Sequence, residues 1–67
     1  MQLTDQWQTV LNNQIGTIFY ENFNTASVRV DGGDAITLPR DGFNFQNAVT
    51  VEVKNYNSSV AEIGVIK

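Results

Sequence analysis

Apolar residues recur along this chain with two different periods. Leu3, Trp7, Val10 and Leu11 fall at i, i+4, i+7 and i+8, which is one face of a helix. Thr4 is a suitable N-cap and Asp5 a suitable first-turn residue, and Asn12-Asn13 would end the element. The spacing predicts a short helix here. The rival is a strand in which Trp7 and Thr9 alternate with Gln6 and Gln8. From Ile15 onward the period is two. Ile15, Thr17 and Phe19 share one face, Ile18 and Tyr20 the other. Apolar side chains on both faces predict a central strand, or one covered on its second side.

Residues 22–25 read as a loop, and then the alternation resumes. Val28 and Val30 alternate with Ser27 and Arg29, and Ile36 and Leu38 with Ala35 and Thr37. Asp31-Gly32-Gly33-Asp34 between them is a hairpin turn. A two-residue Gly32-Gly33 loop would set Arg29 opposite Ile36. A three-residue loop over 32–34 pairs Val30 with Ile36 and Val28 with Leu38, and places Asp34 near the left-handed region. A one-residue slip turns every side chain over, so the apolar pattern selects the three-residue loop. Pro39 ends the strand, and Arg40-Asp41-Gly42 is a turn.

Phe43, Phe45, Val49, Val51 and Val53 then share one parity, with Asn47 breaking the row as a bulge or a strand break. Residues 55–59 form a polar loop, and Ala61, Ile63 and Val65 share the last apolar face. A five-residue loop would pair Val53 with Ala61 and Val51 with Ile63, and would set Glu52 against Glu62. The fold class expected is mainly β: one small domain over residues 1–67, a barrel or two-layer sandwich of about five antiparallel strands, with a short N-terminal helix. Residues 1–14 would be the helical or docking segment and 15–67 the sheet.

Length makes such a core small. A 67-residue chain buries only about 60% of its unfolded surface, and domains of this size often rely on disulfides, a metal or a partner subunit. With no Cys and no His, neither a disulfide nor a Cys/His zinc site is available. Tight packing or association remains.

The polar surface narrows the function. Asn, Gln, Ser and Thr supply 22 residues, against 4 Lys or Arg and 7 Asp or Glu. A net charge of −3 with no basic cluster argues against nucleic-acid binding. No apolar run reaches the ~18 residues of a membrane span, and the N-terminus lacks a signal-peptide pattern. The expectation is a soluble protein made in the cytosol.

Catalytic candidates are poor. Ser27, Ser58 and Ser59 have only Lys54 or a carboxylate as base and match no motif. Asp31, Asp34 and Asp41 lie in adjacent turns, where Asp is favoured for backbone hydrogen bonding alone. Their spacing matches no calcium loop, and Gly32-Gly33 lacks the Lys and helix of a phosphate cradle. No catalytic, cofactor or metal residue is assigned, and an enzyme is not expected. Of seven aromatics, Phe19, Phe43 and Phe45 are read as core, Trp7 as pinning the N-terminal segment, and Tyr56 as exposed.

The composition is similar to that of small viral or phage particle proteins; the similarity covers no motif. The expected function is a non-enzymatic structural or interaction protein that forms a homo-oligomer or decorates a larger assembly such as a virion. Its contact candidates are Trp7, Tyr56, Asp31, Asp34, Ile63, Val65 and Ile66, the last three on an exposed strand edge. The alternatives are a module holding a small molecule or glycan through Tyr56 and the turn carboxylates, and a small acidic inhibitor of another protein.

Overall fold

A computed structural model describes all residues, Met1–Lys67. The period-two segments become five strands: β1 (Gln8–Tyr20), β2 (Ala26–Val30), β3 (Ile36–Thr37), β4 (Phe43–Asn55) and β5 (Ile63–Ile66). They form one antiparallel sheet in the order β3-β2-β4-β1-β5. The two edge strands do not pair with each other. The expected closed barrel or pair of stacked sheets is therefore replaced by one open sheet. No helix is long and apolar enough to cross a membrane.

A lone sheet must bury its apolar face against itself. Its core holds Val10, Leu11, Ile18, Ala26, Val28, Val51, Val53 and Ile63 from the strands, and Leu3, Leu38 and Ala61 from the connecting segments. The radius of gyration is 10.5 Å, close to the ~11 Å of a compact chain of this length. The sheet reaches that compactness by curling around its own inner face.

Bulges supply the bend, and they also explain the missing N-terminal helix. Thr9 pairs with Glu52 and Leu11 with Val51, so Val10 is an extra residue in β1. A second extra residue lies between Leu11 and Gln14, where Asn13 takes φ +53° and its N–H donates to Thr50 Oγ1 at 3.1 Å. An inserted residue lets two successive side chains, Val10 and Leu11, both point inward. That is how a strand came to imitate helical spacing. Asn12-Asn13, expected to end the helix, is a bend in mid-strand, and β1 runs straight across the boundary expected at residue 14. On the opposing strand two extra residues fall between Phe45 and Val49, around Asn47, where a bulge or a strand break was expected; β4 is continuous there, so it is a bulge. They preserve the parity of Phe45, Val49, Val51 and Val53.

The β2–β3 hairpin has the expected face pattern and a different register. Val28 pairs with Ile36 and Ser27 with Thr37. Asp31 and Gly32 have φ +51° and +71°, and Gly33 N–H donates to Val30 O at 2.9 Å. The turn is thus a two-residue Asp31-Gly32 loop with both φ values positive, followed by a bulge. Asp31, not Asp34, takes the left-handed conformation. Its side chain explains the choice: Asp31 N–H donates to Thr50 O at 2.8 Å, and Thr50 N–H donates to Asp31 Oδ1 at 2.9 Å.

The expected β4–β5 hairpin does not form, because β1 lies between the two strands. Glu52 consequently faces Arg29 of β2 and Thr9 of β1 instead of Glu62. β1 is central, as its two apolar faces suggest. On its outer face Phe19 pairs with Gly64, and a Cβ at Gly64 would run into the Phe19 ring. The ring covers the backbone of edge strand β5 only because residue 64 has no side chain.

Two polar side chains hold the curl. The Tyr20 hydroxyl donates to Leu38 O at 2.8 Å and accepts from Ala26 N–H at 3.0 Å, linking β1 to the start of β2 and the segment after β3. The buried Asn55 side chain donates to Leu3 O at 3.3 Å and accepts from Ala61 N–H at 2.8 Å. It sews the N-terminal segment and the chain entering β5 to the end of β4. Replacing Asn55 by Ala leaves two buried backbone groups without their partner, so Asn55→Ala should lower stability by about 1–3 kcal/mol. A lower urea midpoint at an unchanged slope is the expected result.

Candidate surface site

The sheet leaves one well-defined apolar opening. β2 pairs with β4 only from Val51 to Asn55, and the Asp31-Gly32 turn then carries the chain away. β4 before Thr50 keeps a neighbour strand on the β1 side alone. Between the departing hairpin and the start of β4 lies a groove of about 140 Å³. Val28 and Leu38 form its buried floor, and Val30, Ile36, Pro39, Phe43 and Phe45 its walls. No charged side chain lines it. The Phe43 and Phe45 rings are 4.7 Å apart and tilted by 49°. Ile36 is 57% exposed and Phe43 48%. Phe43 and Phe45, read from the sequence as core, thus wall a surface groove, and only Phe45 packs against the core. Gly42, just before them, has φ +83°, and a Cβ there would lie 2.6 Å from Ile18 O. A side chain at 42 would push the start of β4 off β1.

A second feature stands beside the groove. Phe23 is 96% exposed, on a loop held by amides. Asn22 Oδ1 accepts from Asn24 N–H and Glu62 N–H, both at 3.1 Å, while Asn22 Nδ2 and Asn24 Nδ2 donate to Val60 O at 3.0 and 2.8 Å. Arg40 braces the loop from the other side. Its guanidinium lies 3.9 Å from the Tyr20 ring centroid and donates to Asn22 O and Thr25 Oγ1.

The outer face of the sheet carries a charged cluster. Trp7 lies under two cations, Arg29 at 4.4 Å and Lys54 at 5.0 Å from its ring centroid. Arg29 Nε and Nη2 donate to the two carboxylate oxygens of Glu52 at 2.8 and 3.1 Å. This fork holds the Glu52 carboxyl below its usual range, chiefly through the hydrogen bonds from Arg29, and raises Arg29 in turn.

The other contact candidates are scattered. Asp31 is bonded to β4, and Asp34 is exposed in the bulge after the turn. Tyr56 is exposed at the opposite end of β2, its N–H donating to Thr25 O. On β5, Ile63 is buried in the core, Val65 packs against it, and Ile66 is exposed. No three carboxylates form a metal-binding group. Ser27 is buried in the sheet, and Ser58 and Ser59 lie in an exposed loop. Phe23 and Ile36 were not among the contact candidates read from the sequence. A lone aromatic between two asparagines in a loop is the signal that marks Phe23.

No protein-family model, curated protein or solved structure matches the chain.

The Arg29–Glu52 fork carries a pH dependence of known sign. A carboxyl depressed in the folded state contributes stability above its unfolded pKa, about 4.3 for Glu, and loses it as pH falls through the depressed folded value. Glu52→Gln should therefore be less stable than wild type at pH 7. The difference should shrink on acidification through that window, as read from thermal midpoints between pH 7 and pH 2.

Proposed function

We propose that this chain is a non-enzymatic structural and interaction protein that self-assembles or decorates a larger assembly, such as a phage or viral particle. The observation that carries the reading is the open apolar groove between the β2–β3 hairpin and β4, with Ile36 and Phe43 half exposed at its walls. An apolar concavity without charged lining suits an apolar protein surface. The composition supports the same reading, since the surface is rich in neutral amides and low in the charge that keeps copies apart.

The alternatives have less support. A glycan site built on Tyr56 with Asp31 and Asp34 would draw on residues from opposite ends of β2, about 17 Å apart at the rise of a strand. An acidic inhibitor would present a concentrated carboxylate surface, and the seven acids are distributed along the chain.

Sedimentation equilibrium from about 10 µM to 1 mM tests the self-assembly half. The expected result is an average mass that rises with concentration. A monomer throughout would remove self-assembly and leave docking on a different partner.

A further inference from the structure

The chain carries an aromatic knob and an apolar hole side by side. Phe23 is held outward by the Asn22 and Asn24 amide bonds, so its exposure is built into the loop. The groove, at about 140 Å³, is close to the ~150 Å³ of an aliphatic-lined cavity that accepts benzene, so a phenyl ring fits it. The two features flank the dipeptide Pro39-Arg40. Pro39 lines the groove, and Arg40 donates to Asn22 O next to Phe23.

We infer that the groove is filled by Phe23 of a second copy, exchanged reciprocally across a two-fold axis beside Arg40. The inference rests on the self-assembly reading above and names its contact. Adjacency of knob and hole is what a two-fold contact requires, because each copy offers both to the other. Charge permits it in a chain of net −3. The groove has no charged lining, and the knob is flanked by Asn22 and Asn24. Between them Arg40 neighbours Asp41 in sequence and lines one surface depression with Glu21. Cation and carboxylates are therefore mixed along this seam, and no patch of a single sign opposes a second copy there.

Area sets the strength of the contact. An aromatic side chain buries roughly 150–250 Å², matched by a similar area of groove, so one insertion hides only about 300–500 Å² in all. Two reciprocal insertions reach about 600–1,000 Å², still below the ~1,200 Å² at which stable interfaces begin. The dimer is accordingly a weak one, populated toward the millimolar end of the range and stronger where an assembly holds many copies together.

The test uses the full chain in three forms: wild type, Phe23→Ala and Ile36→Glu. Both substituted side chains are exposed, and amide NMR spectra establish that each variant is folded. Ile36→Thr replaces Ile36→Glu if the glutamate disturbs β3. Expected for wild type is an average mass moving toward twice the monomer by 1 mM, with concentration-dependent shifts of the Val30, Ile36 and Phe45 resonances. Each variant alone should lose most of that rise, since it spoils both contacts of its own dimer. Mixing labelled Phe23→Ala, whose groove is intact, with unlabelled Ile36→Glu, whose knob is intact, should restore part of the shift at the groove.

If wild type associates and both variants associate equally well, the knob-and-groove contact is overturned while self-assembly stands. If wild type remains monomeric with unshifted groove resonances at 1 mM, the contact is overturned and self-assembly falls with it. A wild-type mass that climbs past twice the monomer overturns the reciprocal two-fold geometry, because a head-to-tail contact does not close.

Discussion

A single sheet with one apolar face has nothing to pack against except itself, and this requirement governs the rest of the molecule. There is no second sheet and no helix to serve as the opposing layer. The inner face is closed by curvature, and curvature comes from residues inserted in β1 and β4 at offset positions. Each bulge costs ladder hydrogen bonds, and side chains replace some of them, as when Thr50 Oγ1 accepts from Asn13 N–H. Leu3, Leu38 and Ala61, which belong to no strand, fill the remaining openings of the core. Tyr20 and Asn55 then fasten the curled sheet where its own ladder cannot reach.

The same requirement accounts for the neutral polar composition. Asn22, Asn24 and Asn55 use both ends of the amide or pair with one another to satisfy backbone groups between elements. An amide offers a donor and an acceptor without the desolvation cost of a charge, which suits half-buried junctions. The few charges serve chiefly as local fastenings: Arg40 on the Tyr20 loop, Arg29 with Glu52 and Trp7 on the outer face. What remains is an apolar groove whose lining carries no charge, and the proposed contact function rests on that lining.

Parity was the legible part of the sequence. The inward rows of β2 and β4, the two-faced character of β1, the hairpin after Val30 and the irregularity near Asn47 all follow from alternation and turn chemistry. Alternation carries no information about which strands become neighbours. The expected β4–β5 pairing placed Glu52 against Glu62, an unfavourable pair, and the structure seats β1 between the two strands instead. The bulge at Val10 defeated the reading of the N-terminal segment, because an inserted residue in a strand and a turn of helix can place the same side chains inward. The surface site was less visible. Phe43 and Phe45 have core parity, and only the departure of β2 at Asp31, a property of the backbone path, turns them into the wall of a groove.

The strand order has a consequence for how the molecule comes into being. Of the four strand pairings, only β2–β3 joins neighbours along the chain. Gln8 meets Val53, and Thr17 meets Ile66, so the central ladders must bring distant stretches together before burial repays the lost chain entropy. Such non-local topologies fold on the order of milliseconds to seconds, in place of the microseconds open to a bundle of this size. Until β1 is seated between β4 and β5, its charge-free length from Gln8 to Tyr20 is an unpaired strand in solution, and so is much of β4. The interval between synthesis and closure is therefore when this chain is most exposed to pairing with the wrong copy.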